Sequence, residues 1–143
     1  MRRQSDESVR VFAPAKINWV LTIRGRRDDG YHDLDTVFQA LEWGDELICR
    51  PTAREACVIR CARPDVPTDD RNLIARAWRL MRTEFPGRVR GLEVELIKRL
   101  PAGGGLGGGS SDAVAALGAI DRLYRLRLAP SRLEALAARI GSD

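Results

Sequence analysis

Leu100-Pro101-Ala102-Gly103-Gly104-Gly105-Leu106-Gly107-Gly108-Gly109-Ser110-Ser111-Asp112 is the stretch on which the reading of this chain turns. Six of the seven residues from Gly103 to Gly109 are glycine. A backbone without Cβ atoms reaches positive φ and brings its N–H groups close to an anion, so the segment reads as a phosphate cradle. Upstream, Leu92, Val94 and Leu96 alternate with Glu93 and Glu95, the period of a half-buried strand that continues through Lys98 and Arg99 into the glycines. Downstream, Val114, Leu117, Ile120 and Leu123 recur at helical spacing and are expected to face inward, with Ser110 or Ser111 placed to cap the helix. The positive end of that helix faces the same anion.

Other glycine motifs fit less well. Gly103-x-Gly105-x-x-Gly108 matches the dinucleotide fingerprint formally, but that motif also needs an acidic residue closing a second strand about twenty residues later, and Asp121 sits in a helical pattern. A P-loop needs Lys and then Ser or Thr after its last glycine, whereas Ser110 follows Gly109 directly. A flexible linker is not usually framed by a strand and a capped helix.

Working outward, Val9 to Ala13 and Ile17 to Ile23 read as two short strands with Pro14 breaking the ladder between them. Asp28-Asp29-Gly30 is a turn signal that offers Tyr31 and His32 from a loop or a strand mouth. Val37 to Leu41 and Glu46 to Arg50 are expected as separate strands around Gly44-Asp45, and Ala56 to Cys61 as another. Leu73, Ile74, Ala77, Trp78 and Met81 predict an amphipathic helix from Asn72 to about Phe85, ended by Pro86-Gly87 and with Trp78 in the core. A last helix starts after Pro130 and carries Leu133, Leu136, Ala137 and Ile140.

The 143 residues suit one domain, and 24 basic against 20 acidic side chains leave a net charge of +4. The arginines are spread over every segment and form no stripe, which argues against a nucleic-acid footprint and is compatible with an anionic small molecule. Cys49, Cys57 and Cys61 contain no CxxC pair, and the single histidine, His32, is distant in sequence, so buried free thiols in a reducing compartment are expected. No apolar run follows Arg2-Arg3 and no segment reaches membrane-spanning length, so a cytoplasmic protein with no membrane partner is expected. Oligomeric state is not legible in the sequence.

With these residues in view, Pro101 to Asp112 resembles the ATP loop of the GHMP kinases. Pro14-Ala15-Lys16-Ile17-Asn18 is similar to the N-terminal lysine motif of that family. Gly25 to His32, with Asp33 to Asp45, is similar to the substrate segment of members that act on a diphosphocytidyl alcohol. The resemblance runs from about Val11 to Asp143, with Trp19 and Ala102 departing from the more usual leucine and methionine.

The resemblance implies an α+β fold, a mixed and mostly antiparallel sheet with helices on one face and the ATP loop at a helix N-terminus. It implies that residues 1–143 form an ATP-binding domain that stops ahead of a C-terminal domain. It further implies ATP with Mg2+ as cofactors, and γ-phosphate transfer to a hydroxyl of a small-molecule diphosphocytidyl substrate of isoprenoid precursor synthesis.

On this reading Lys16 stabilises charge on the transferring group, and Asp143 orients the hydroxyl and takes its proton. Pro101, Ala102, Gly103, Gly104, Gly105, Leu106, Gly107, Gly108, Gly109, Ser110 and Ser111 hold the nucleotide phosphates, with Asn72 and Lys98 near the adenine side. Asn18, Tyr31 and His32 bind the substrate, the two rings reading its pyrimidine by stacking and edge hydrogen bonds. The metal ligand is unknown, the hydroxyls of Ser110 and Ser111 being the nearest candidates. Two alternatives stay open: a GHMP kinase for homoserine, mevalonate or a sugar, and a non-catalytic nucleotide- or RNA-binding module of similar fold.

Overall fold

The computed structural model describes residues 7–26, 32–101 and 107–140, with the backbone alone for 17–26 and 32–38. Among the described residues four strands and three helices follow in the order β1 (Val9–Arg26), β2 (His32–Thr52), β3 (Cys57–Cys61), α1 (Leu73–Glu84), β4 (Gly91–Ile97), α2 (Gly108–Leu123) and α3 (Pro130–Ile140). The sheet order is β1-β2-β4-β3. β2 is antiparallel to both β1 and β4, while β3 runs parallel to β4 after the α1 crossover, so the sheet is mixed and mostly antiparallel as expected.

Two strand assignments differ from the sequence reading. Pro14 does not end a strand: β1 passes through it with Pro14 opposite Gly44, and the register shifts between Pro14 and Lys16. Because β1 lies at the sheet edge, a residue without an N–H is tolerated there. Gly44-Asp45 likewise does not separate two strands, since β2 runs unbroken from His32 to Thr52. Glycine is required at 44 because an added Cβ would lie 2.2 Å from the Ala13 carbonyl oxygen across the ladder. This close approach, and not a turn, explains the glycine.

The core lies between the sheet and the helices. Ala13, Leu47, Cys49, Ile59, Leu92, Val94 and Leu96 from the strands meet Ile74, Trp78 and Met81 of α1 and Leu117, Ile120 and Leu123 of α2. Each large aliphatic side chain buried in this way contributes about 1.5–3 kcal/mol. α1 begins where expected, because the Asn72 side chain accepts from the Ile74 amide at 2.9 Å. Trp78 is in the core as read, and its indole N–H donates to the Arg90 carbonyl at 2.8 Å. Cys49 is buried and Cys57 and Cys61 are half-buried; burial, with Cys57 nearby, pushes the Cys49 thiol up to about 12.

Val114 is the exception in α2. It is 54% exposed, and alanines 113, 115, 116 and 119 take the inward positions instead. Small side chains there let the helix axis approach β1 and β2 closely, which draws the start of α2 against the sheet. Among the described residues no helix is long and apolar enough to cross a membrane.

Candidate nucleotide-binding cleft

Lys16 emerges from β1 opposite Ala40, two residues past the Pro14 register shift. Its aliphatic stem lies across the start of α2, where the N-cap is Gly107 in the left-handed conformation at φ 67° and ψ 21°. An added Cβ at Gly107 would lie 2.3 Å from Lys16 Cε, so both the backbone angle and the lysine demand glycine. The expectation that Ser110 or Ser111 caps this helix is therefore corrected. Gly107 occupies that position, and Ser111 is already within the first turn, its amide donating to the Gly107 carbonyl at 2.9 Å.

Around Lys16 the chain leaves a cleft of about 450 Å3, lined by Phe12, Pro14, Ala15, Gly107, Ser110, Ser111, Val114 and Arg122 among others. One wall is the β1 edge and the other is the N-terminal turn of α2. The first amides of a helix have no intrahelical acceptor, so they and the positive helix end act on the same space as the lysine ammonium. The two serine hydroxyls add donors. An anionic ligand such as a phosphate chain suits a cleft of this character.

The metal fits less well. Mg2+ is normally held by one or two carboxylates together with substrate phosphates, yet the cleft-lining residues include no Asp or Glu. Among the described residues no group of three His, Cys, Asp or Glu could hold a metal ion. The described part of the chain thus supplies hydroxyls at most, and no step is routed through a metal.

Lys98 and Asn72, expected near the adenine side, are both engaged within the protein. The Lys98 side chain is 7% exposed, and its Nζ donates to Asp45 at 2.7 Å and to Asp112 at 2.9 Å. Both Asn72 side-chain groups are engaged, the oxygen on the α1 cap and the nitrogen on the Pro67 carbonyl at 2.9 Å. Asp45 and Asp112 were missed as candidates. Gly44-Asp45 looked like a turn and Asp112 like an ordinary residue of a helix start, and neither local pattern names a distant lysine.

Asp45 accepts more than the lysine. Its second oxygen takes the Arg99 amide at 2.7 Å and the Leu100 amide at 3.0 Å. Burial pushes its carboxyl up, but hydrogen bonds from Asp112, Lys98, Leu100 and Arg99 outweigh burial and hold it below the usual range. Asp112 has the opposite balance. Burial, then the neighbouring Asp45, pushes it up to about 8, and Lys98 only partly compensates. Its Oδ1 is buried and has no hydrogen-bond partner among the described residues, a setting in which an ionised oxygen would be costly. Burial lowers Lys98, but the two carboxyls more than offset it, so Lys98 stays charged.

Other predicted site residues are only partly placed. Pro101 is exposed at the start of the glycine segment, and Gly108 and Gly109 open α2. Asn18 pairs with Phe38 in the β1–β2 ladder, and His32 pairs with Arg26 at the far end of that ladder from Lys16, their side chains not being described. Tyr31, Ala102, Gly103, Gly104, Gly105, Leu106 and Asp143 lie outside the described residues. The structure brings together Lys16, Gly107, Ser110 and Ser111.

Known proteins bear on this arrangement directly. The family model of the GHMP kinases N terminal domain matches residues 72–143, half of the chain. A 4-diphosphocytidyl-2-C-methyl-D-erythritol kinase from Paraburkholderia xenovorans is 48% identical over 134 residues, covering 92% of this chain and 44% of that protein. A crystal structure of 4-(cytidine 5'-diphospho)-2C-methyl-D-erythritol kinase superposes with a TM-score of 0.77 at 38% identity, over 94% of this chain and 47% of that one. A homoserine kinase from Cytophaga hutchinsonii has a TM-score of 0.71 at 25% identity, over 98% of this chain and 43% of that one. The chain spans less than half the length of each of these relatives. On the strength of the matched domain, the shared fold and the sequence identity, the chain belongs to the GHMP kinases.

Proposed function

We propose that these 143 residues are the ATP-binding N-terminal portion of a longer cytoplasmic kinase, and that the whole enzyme phosphorylates the 2-hydroxyl of 4-diphosphocytidyl-2-C-methyl-D-erythritol. The observation that carries the reading is the Lys16 stem lying across Gly107 beside Ser110 and Ser111, which sets an ammonium and a helix N-terminus around one cleft. The name borne by relatives at 38–48% identity supports the substrate.

In the proposed reaction the substrate hydroxyl oxygen forms a bond to the γ-phosphorus of ATP while the bond from that phosphorus to the β–γ bridging oxygen breaks. ADP leaves, and the hydroxyl proton passes to the Asp143 carboxylate. Lys16 and the amides from Gly107 to Ser110 stabilise charge on the phosphoryl oxygens. Asn18, Tyr31 and His32 hold the diphosphocytidyl alcohol. Asn72 and Lys98 support the nucleotide side from behind, through the α1 cap and the contacts to Asp45 and Asp112. Mg2+ would neutralise charge on the triphosphate, and among the described residues only the hydroxyls of Ser110 and Ser111 would stand near it.

A coupled assay of ADP release tests this in the full-length protein. Turnover is expected with the diphosphocytidyl alcohol and not with homoserine, mevalonate or galactose. A folded full-length protein that turns over one of those alcohols instead, or none of them, overturns the assignment.

A further inference from the structure

We propose that Asp45, Lys98 and Asp112 form a clamp that fastens the two ends of the glycine-rich segment to one buried point, making Asp45 and Asp112 positioning residues for whatever the segment binds. The clamp is deduced from contacts alone, and its bearing on nucleotide rests on the ATP reading above. On the upstream side, Asp45 takes the Arg99 and Leu100 amides and the Lys98 ammonium. On the downstream side, the same ammonium holds Asp112, which is part of α2. One nitrogen therefore bridges Asp45 and Asp112 and ties the end of β4 to α2.

Two further contacts tighten it. Arg63, held by Asp65, donates to the Leu100 carbonyl at 2.7 Å, so Leu100 is pinned by its amide, its carbonyl and a fully buried side chain. The Lys98 ammonium lies directly under the first residue of α2, because an added Cβ at Gly108 would be 3.0 Å from Nζ.

Six glycines in a short stretch carry a large backbone entropy to lose on ordering, and fixing the two flanks of that stretch removes part of that loss before a ligand arrives. A buried ion cluster adds little net stability compared with apolar packing, and its best-attested use is to fix one arrangement among several. The charges also agree with an anionic ligand. Lys98 and Asp45 offset one another, Asp112 is pushed toward its protonated form, and the described residues lining the cleft include Lys16 and Arg122 but no carboxylate.

Amide hydrogen exchange on the ligand-free full-length protein tests the clamp without reference to ATP, and calorimetry with MgADP tests its bearing on the nucleotide. Asp112→Ala should speed exchange about tenfold or more at the Arg99 and Leu100 amides, across the glycine segment from the substitution, as well as in the first turn of α2. Asp112→Asn, which still accepts from Lys98, should restore both. The same Ala variant should bind MgADP about tenfold more weakly, with Asn again restoring affinity. Should Asp112→Ala not fold, Asp112→Ser serves, its hydroxyl being too short to reach Lys98 at the same place.

Unchanged exchange at Arg99 and Leu100 in the Ala variant overturns the clamp. Faster exchange with unchanged MgADP affinity overturns its positioning role. If the wild type shows coupled exchange but binds no MgADP, the clamp stands and the ATP reading is what fails.

Discussion

The Lys16 side chain crosses Gly107 so closely that a Cβ on that glycine would sit 2.3 Å from Lys16 Cε. β1 and the start of α2 thus meet at this point, and a side chain at residue 107 would have to displace the lysine. Gly107→Ala should cost about 1–2 kcal/mol from the left-handed backbone alone. The lysine is also displaced, so kcat should fall by at least about one decade more than the stability loss explains. Urea unfolding and turnover measured on the same preparation separate the two effects.

Lys16→Met keeps the stem that packs on Gly107 and removes the charge. Turnover should fall by about two to three decades while the melting temperature changes little. A full loss of kcat with the KM for ATP preserved would assign the lysine to the transferring group, as proposed.

Asp45→Ala removes the acceptor of two backbone amides and the partner of a buried ammonium in one step. The expected destabilisation is about 3–5 kcal/mol, well above that of Glu46→Ala on the exposed side of the same strand. The urea midpoints of the two variants provide the comparison.

Asp112 makes stability depend on pH in a direction opposite to a normal salt-bridged carboxylate. Its folded-state value is raised from 3.8 to about 8, so between those limits the folded chain binds a proton that the unfolded chain releases. Stability from this group therefore falls as pH rises through that window and is flat above it. Asp112→Asn should remove this slope, making the difference in urea midpoint between wild type and variant shrink or invert between about pH 5 and pH 8.

Asn72→Ala should cost about 1 kcal/mol through loss of the α1 cap, and Asn72→Asp, which keeps the accepting oxygen, should recover most of it. If ATP affinity drops equally in both variants, the amide nitrogen contributes to the nucleotide side beyond its bond to Pro67.

Local pattern carried much of this. The alternation at Leu92, Val94 and Leu96 and the spacing from Leu73 to Met81 each involve neighbours within a few residues, and β4 and α1 appear where those patterns put them. Patterns failed where a partner strand or helix decided the outcome. Pro14 is accommodated by its place at an edge, Gly44 answers to the Ala13 carbonyl, and Val114 turns outward because four alanines suit the close face better.

What the order of residues determined by itself was the strand, glycine segment and helix, and with them the family, because hydrophobic period and backbone freedom are local properties. What the folded chain alone decided was the partner of each charge. Lys98 meets an acid 53 residues before it and another 14 after it, and Lys16 comes to rest on a glycine from the far side of the chain. Burial then separates two like carboxyls into one that keeps its charge and one that keeps its proton, since a desolvated acid ionises only where enough donors surround it.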